Sequence, residues 1–199
     1  CSSDLLMKSI KKGWKWALFA PEDFPAHEFY HDLVEMWFGQ NCVPENPHRP
    51  SREDYARIYD HISKHFFFVY PKDVSPTPEY IQERFLELII KEGVQGCIVD
   101  PFNQMSNDYA SSGGRDDRYL DITISSFSRF VMTNNQMFVI VAHPKAMQKD
   151  DKGNYKCPDV FDLAGGPMWN NKMDNIMFYH KPYRGEDPTN PVCTLSIKK

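Results

Sequence analysis

Three short polar segments stand where chemistry is expected in this chain, each directly after an apolar run. They are Ala20-Pro21-Glu22-Asp23, Asp100-Pro101-Phe102-Asn103 and His143-Pro144-Lys145. If the three runs are neighbouring strands, two carboxylates and an imidazole converge on one edge of a sheet. That set suits metal-assisted hydrolysis of a phosphoanhydride. One carboxylate would hold Mg2+, a hard cation that takes oxygen ligands and keeps several of its waters. A second would orient and deprotonate the attacking water. The imidazole would report the γ-phosphate state. Each residue also has a purely structural reading. An Asp that ends an apolar strand often serves as a turn or capping residue. Glu22 beside Asp23 is also the pattern of first-turn acids favoured by the helix dipole, and His143 before proline suits an ordinary surface histidine. The three on successive strand ends weigh more than any one.

The elements that must position them alternate. WKWALFA (Trp14 to Ala20), HFFFVY (His65 to Tyr70), GCIVD (Gly96 to Asp100) and MFVIVA (Met137 to Ala142) read as buried strands. Helical spacing covers 25–38, 52–64, 78–92 and 118–134, and 4–12 also reads as a helix. Pro78 near the first turn and Gly93 just past the end punctuate the helix between the second and third strands. Residues 41–50 are a Pro-rich loop, and 103–117 are polar, Gly-containing and expected to be mobile. A Lys-rich polar stretch spans 145–156, and the last strand candidates are 175–179 and 192–197. Continuous apolar strands separated by helices predict an α/β fold, a mostly parallel central sheet with helices on both faces. In such sheets ligands sit beyond the carboxyl ends of the strands. No internal repeat or domain-scale linker interrupts the 199 residues, so one domain is expected.

Composition narrows the classes. With 41% apolar and 25% charged residues the chain has an average globular balance. A formal charge of −4 argues against a generally basic nucleic-acid coat, while leaving room for one local basic loop. The five cysteines lack a CxxC pair and the seven histidines lack an HExxH pair, so neither a disulfide framework nor a zinc site is expected. No apolar run approaches the roughly 20 residues that cross a bilayer. With no secretory signal pattern either, the expectation is a cytosolic chain with no membrane partner.

At this point the segments resemble a known family, the replicative hexameric helicases of the DnaB type, and especially phage primase–helicases and the mitochondrial Twinkle helicase. APEDFP resembles the strand end that holds that family's catalytic glutamate, and GCIVDPFN is similar to its Walker B strand. VIVAHPK resembles the strand that ends in a phosphate-sensing residue, and PDVFDLAGGPMWNNKMDNIMFYHK the later segment that faces single-stranded DNA. The similarity runs from about Leu5 to Lys199. The resemblance implies a RecA-like P-loop NTPase fold and an ATP-driven DNA helicase motor that forms a ring, a homohexamer in the family. It implies Glu22 as catalytic base, Asp100 as the carboxylate that holds Mg2+ through water, and His143 as sensor. Lys145, Lys149, Lys152 and Lys156 would lie on or near a DNA-facing loop, where the bland alternative is a solvated loop. Gly165, Gly166 and Asn170 would form a second DNA-proximal segment whose backbone amides approach phosphates, where the alternative is a plain turn before a helix.

Two departures qualify that expectation. The phosphate-binding loop GxxxxGK[ST] occurs nowhere in the sequence, and no lysine stands at Cys1-Ser2-Ser3-Asp4, where it would lead into the first helix. The family's arginine finger would fall at or beyond Lys199. The expectation is a catalytic core clipped at both ends, which by itself hydrolyses ATP very weakly. The alternatives are a RecA-like ATPase of recombination or regulation, and a degenerate module that binds DNA or a partner without hydrolysis.

Overall fold

The computed structural model describes residues 2–106 and 116–199. The chain forms two compact units, one of Cys1–Ser106 with Arg129–Val141, the other of Asn107–Ser128 with Ala142–Lys199.

The first unit is built on four parallel strands: β1 (Trp16–Phe19), β2 (Phe66–Phe68), β3 (Gly96–Val99) and β4 (Met137–Ile140), in the order β2-β1-β3-β4. All four lie within the expected strand segments and are shorter. At the first of them, Trp14 donates its backbone N–H to Ser9 O at 3.2 Å and so turns away from the sheet. The register pairs Trp16 with Phe66 and with Gly96, and Val99 with Ile140. Alternation splits the side chains between two faces. Trp16, Leu18, Phe66 and Ile98 point to one face, where they pack with Ile10 of α1 (Ser2–Ile10), Leu33 and Val34 of α2 (Ala26–Phe38), and Ile58 and Ile62 of α3 (Arg52–Ser63). Ala17, Phe19, Cys97 and Val99 are buried on the other face. There Phe138 meets Phe85 of α4 (Pro78–Glu92) and Phe130, in the closing part of α5 (Asp116–Asn134), edge to face. Helices thus bury β1 and β3 on both faces, while β4 is only partly covered, with Met137 exposed.

One glycine in this sheet is fixed by close approach. A Cβ on Gly96 would lie 2.3 Å from the Trp16 indole, which sits over it in the neighbouring strand. The indole Nε1–H donates to Ser9 Oγ at 2.7 Å, which ties α1 to β1. The helix punctuation works as expected. Thr77 Oγ1 accepts the Tyr80 N–H at 3.2 Å, Pro78 opens α4, and Gly93 closes it in the left-handed region at φ 70°.

The second unit starts from the opening part of α5 and adds α6 (Gly166–Lys172), β5 (Met177–His180) and β6 (Thr194–Ile197). β5 and β6 pair antiparallel, Met177 opposite Ile197 and Tyr179 opposite Leu195. Lys172 forms an ion pair with Asp121 and so fastens α6 to α5. The expected mobile stretch 103–117 is only partly described. Phe102–Gln104 forms a 3-10 turn, α5 begins at Asp116 rather than at 118, and residues 107–115 lie outside the described residues. Among the described residues no helix is long and apolar enough to cross a membrane.

Candidate functional site

Two of the three strand-tip segments fall in the first unit, and the pairing of β1 with β3 places them side by side. β1 ends at Phe19, and its partner Val99 ends β3. Asp100 donates its backbone N–H to Phe19 O at 2.9 Å, so its main chain is anchored to the neighbouring strand. Phe102 N–H donates to Val141 O at 2.8 Å, and Val141 N–H to Val99 O at 2.9 Å, which carries the ladder past the end of β4. Asp100 itself is half-buried. A parallel ladder brings the carboxyl ends of its strands to a common edge, and that edge is where this acid sits.

Glu22 lies in the 3-10 turn Pro21–Asp23 that follows β1, with Pro21 at the first position of the turn. Its side chain is exposed, and its Oε1 accepts a hydrogen bond from Gln104 Nε2 at 3.2 Å. Gln104 stands four residues beyond Asp100, so the turn after β1 and the turn after β3 are cross-linked. Gln104 is not among the residues that stand out in the sequence, because nothing in its own neighbourhood signals a partner 82 residues away. Asp23 carries no separate signal there either. Its carboxyl pKa is raised, first by partial desolvation and then by the charges of Glu22 and Asp32. Asp23 and Asp100 both line a cavity of ≈ 440 Å³, together with the apolar Leu18, Ile98 and Val139 and with Lys8 and Lys12. Acidic and basic residues thus share the lining of one largely apolar cavity.

The strand-tip donors of this unit are carboxylate oxygens, the chemistry of a site for a hard cation. Among the described residues no group of three or more His, Cys, Asp or Glu is placed to hold a metal ion. Mg2+ does not need such a cage, since one or two carboxylates with substrate phosphates and water complete its shell. Cys97, on β3, is walled off from such chemistry, with burial pushing its thiol up to about 12.

The remaining residues singled out from the sequence lie in the second unit. His143 is exposed, two residues beyond Val141. Lys145 is exposed, and its N–H donates to Asp162 O at 2.8 Å. The Lys-rich stretch is partly a hairpin, with Lys149 and Tyr155 paired as an antiparallel bridge. Lys152 Nζ lies 3.1 Å from Glu186 Oε1 and Lys156 is exposed. Gly165 precedes α6 in the left-handed region at φ 70°, and a Cβ on Gly166 would lie 2.5 Å from Val160 O. Both glycines therefore have packing reasons of their own. Asn170 is exposed on α6, and its carbonyl accepts Lys199 Nζ at 2.7 Å.

Comparisons with known proteins bear on this arrangement. No family model matches the sequence. The chain is 26% identical over 173 residues to the Twinkle homolog protein, chloroplastic/mitochondrial, of Arabidopsis thaliana. That stretch takes in 85% of this chain and 24% of the plant protein, so the chain spans about a quarter of its relative's length. The fold is similar to that of a solved ATPase domain, with a TM-score of 0.74 at 12% identity over 100% of this chain and 71% of that one. It is also similar to the structure of a DnaB-like replicative helicase and its interactions with primase, with a TM-score of 0.72 at 12% identity over 95% of this chain and 46% of that one. The parallel sheet and these likenesses give an α/β, RecA-like fold. The chain thus resembles a Twinkle homolog in sequence and a DnaB-like replicative helicase in fold.

Proposed function

We propose that this chain is the ATP-hydrolysing motor core of a replicative DNA helicase, its two compact units making one domain that couples hydrolysis to movement along single-stranded DNA. The observation that carries this reading is the pairing of β1 with β3, which sets the Glu22 turn and Asp100 at one edge of a parallel sheet. Glu22 acts as the general base toward the attacking water, and Gln104 Nε2 fixes the direction of its carboxylate. Asp100, with its main chain anchored to Phe19, offers a carboxylate oxygen for Mg2+. When bound, that ion offsets the charge of the ATP phosphates. His143 senses the γ-phosphate. Lys145, Lys149, Lys152 and Lys156 bind phosphates of the DNA strand, and the Gly165, Gly166 and Asn170 segment follows it from a second side. The chain works in a homohexameric ring and has no membrane partner. A cytosolic location belongs to this reading, beside a plant relative whose name is organellar.

The test is DNA-stimulated ATP hydrolysis by a polypeptide that joins this segment to a GxxxxGK[ST] loop. Glu22→Gln and Asp100→Asn should each abolish turnover, by at least about 100-fold, the usual scale of a lost acid–base group. Normal turnover in either variant removes the assignment. A second reading is a RecA-like module that binds DNA without hydrolysis. It is favoured if the joined polypeptide binds single-stranded DNA yet never hydrolyses ATP.

A further inference from the structure

The hairpin within the Lys-rich stretch is closed with unusual thoroughness for an exposed segment. Asp150 N–H donates to Asn154 O, and Gly153 N–H to Asp150 O, both at 2.9 Å. The Asp150 carboxylate accepts the N–H groups of Lys152 and Asn154 at 3.0 and 2.8 Å. Behind the turn, Asn154 is buried at 7% exposure, with its amide aimed at the loop that follows β5. Its Oδ1 accepts the N–H of Gly185 at 2.9 Å and of Glu186 at 3.1 Å, and its Nδ2–H donates to Glu186 Oε1 at 3.1 Å. The two loops touch so closely that a Cβ on Gly185 would lie 2.1 Å from the backbone of Gly153. A buried amide bonded through both its oxygen and its nitrogen contributes modest net stability but fixes geometry, because leaving its partners unpaired is costly.

The lysines of this stretch are not equivalent. Lys152 is engaged by Glu186, whose hydrogen bond holds its ammonium above the usual lysine range. Lys149 instead places Nζ 5.1 Å from the centroid of the Tyr155 ring, and that ring is 44% exposed. A cation beside an accessible aromatic face is the pairing that binds single strands, the ring stacking a base and the ammonium meeting a phosphate.

We propose that Asn154 is a positioning residue that holds Lys149 and Tyr155 as a rigid cation–aromatic platform for single-stranded nucleic acid. This rests on the reading above that the Lys-rich stretch faces DNA. The experiment measures binding of fluorescein-labelled oligo(dT) to the 199-residue chain by anisotropy, across a salt series. Lys149→Ala and Tyr155→Ala should each weaken binding about tenfold, and Lys149→Ala should lower the salt slope by about one. Asn154→Ala should weaken binding about as much, and the Asn154→Ala/Lys149→Ala double variant should be no weaker than the weaker single one. A group that acts through another gives such non-additivity, whereas a merely structural loss adds to it. Additive losses, or wild-type affinity for Asn154→Ala while Lys149→Ala loses tenfold, overturn the positioning role and leave the DNA-facing reading intact. Wild-type affinity in Lys149→Ala and Tyr155→Ala alike overturns the platform together with that reading. Should Asn154→Ala not fold, the exposed Asp150→Ala decides. Removing an acid beside DNA tightens binding on charge alone, whereas loosening the turn weakens it. Weaker binding supports the platform; tighter or unchanged binding overturns it.

Discussion

The two compact units hold their strands in place by different means. In the first, β1 and β3 are buried along their whole length, and the turns that carry Glu22 and Asp100 grow directly from them. In the second, β5 and β6 form a ribbon with one covered face, at Phe178, and an apolar face left open at Met177, Tyr179, Leu195 and Ile197. Its loops are fixed by polar groups, above all the buried amide of Asn154. The contrast matches the work proposed for each. Proton transfer from a water tolerates little displacement, and turns that grow directly from packed strands hold their residues more precisely than long loops do. A surface that follows a strand of nucleic acid needs exposed cations and rings, which a hydrophobic core cannot hold.

Three substitutions probe that contrast, beginning with the largest expected effect. Phe85→Ala removes a fully buried ring that meets Phe138 edge to face. It should cost about 3–5 kcal/mol in denaturant unfolding. A cost below about 1 kcal/mol would mean that α4 does not anchor the sheet. Asn154→Ala strands the N–H groups of Gly185 and Glu186 and should cost about 1–3 kcal/mol, with faster hydrogen exchange at those two amides. Unchanged protection there would show that the loops hold without the clamp.

The smallest effect belongs to Asp23. Its folded-state pKa is raised, so between the ordinary value of 3.8 and the raised one the native state binds more protons than the unfolded state. Stability therefore falls as pH rises through that window, and Asp23→Asn removes the penalty. The variant should be slightly more stable than the parent at pH 7, by no more than about 0.5 kcal/mol given solvent screening, and the gain should vanish as pH falls below 3.8. A gain that persists well below pH 3.8 would trace to something other than the charge.

Much of the fold was legible because its signals are local. The α4 boundaries follow from Pro78 and Gly93, whose roles depend only on neighbouring residues. The four apolar runs marked the strands, and the start of β1 moved inward where Trp14 found Ser9 as its backbone partner. The strand-tip acids were legible too, since a carboxylate after an apolar run stands out in one dimension. Gln104 was not, because its partner Glu22 is 82 residues away. The hairpin within the Lys-rich stretch was not legible either, for a related reason. Asp150 and Gly153 suggest a turn, but the buried side of that turn is supplied by Gly185 and Glu186, more than thirty residues on.

By itself, then, the sequence determined the kinds of element, their order, and which polar residues end the strands, since periodicity, caps and composition act over a few residues. The tertiary structure decided the rest. It set the order β2-β1-β3-β4 that makes Glu22 and Asp100 neighbours in the sheet, the indole that leaves room only for glycine at 96, and the choice of Lys149 rather than Lys152 as the cation beside an open ring. Each depends on which distant backbone or side chain arrives alongside, and only the packed chain supplies that partner.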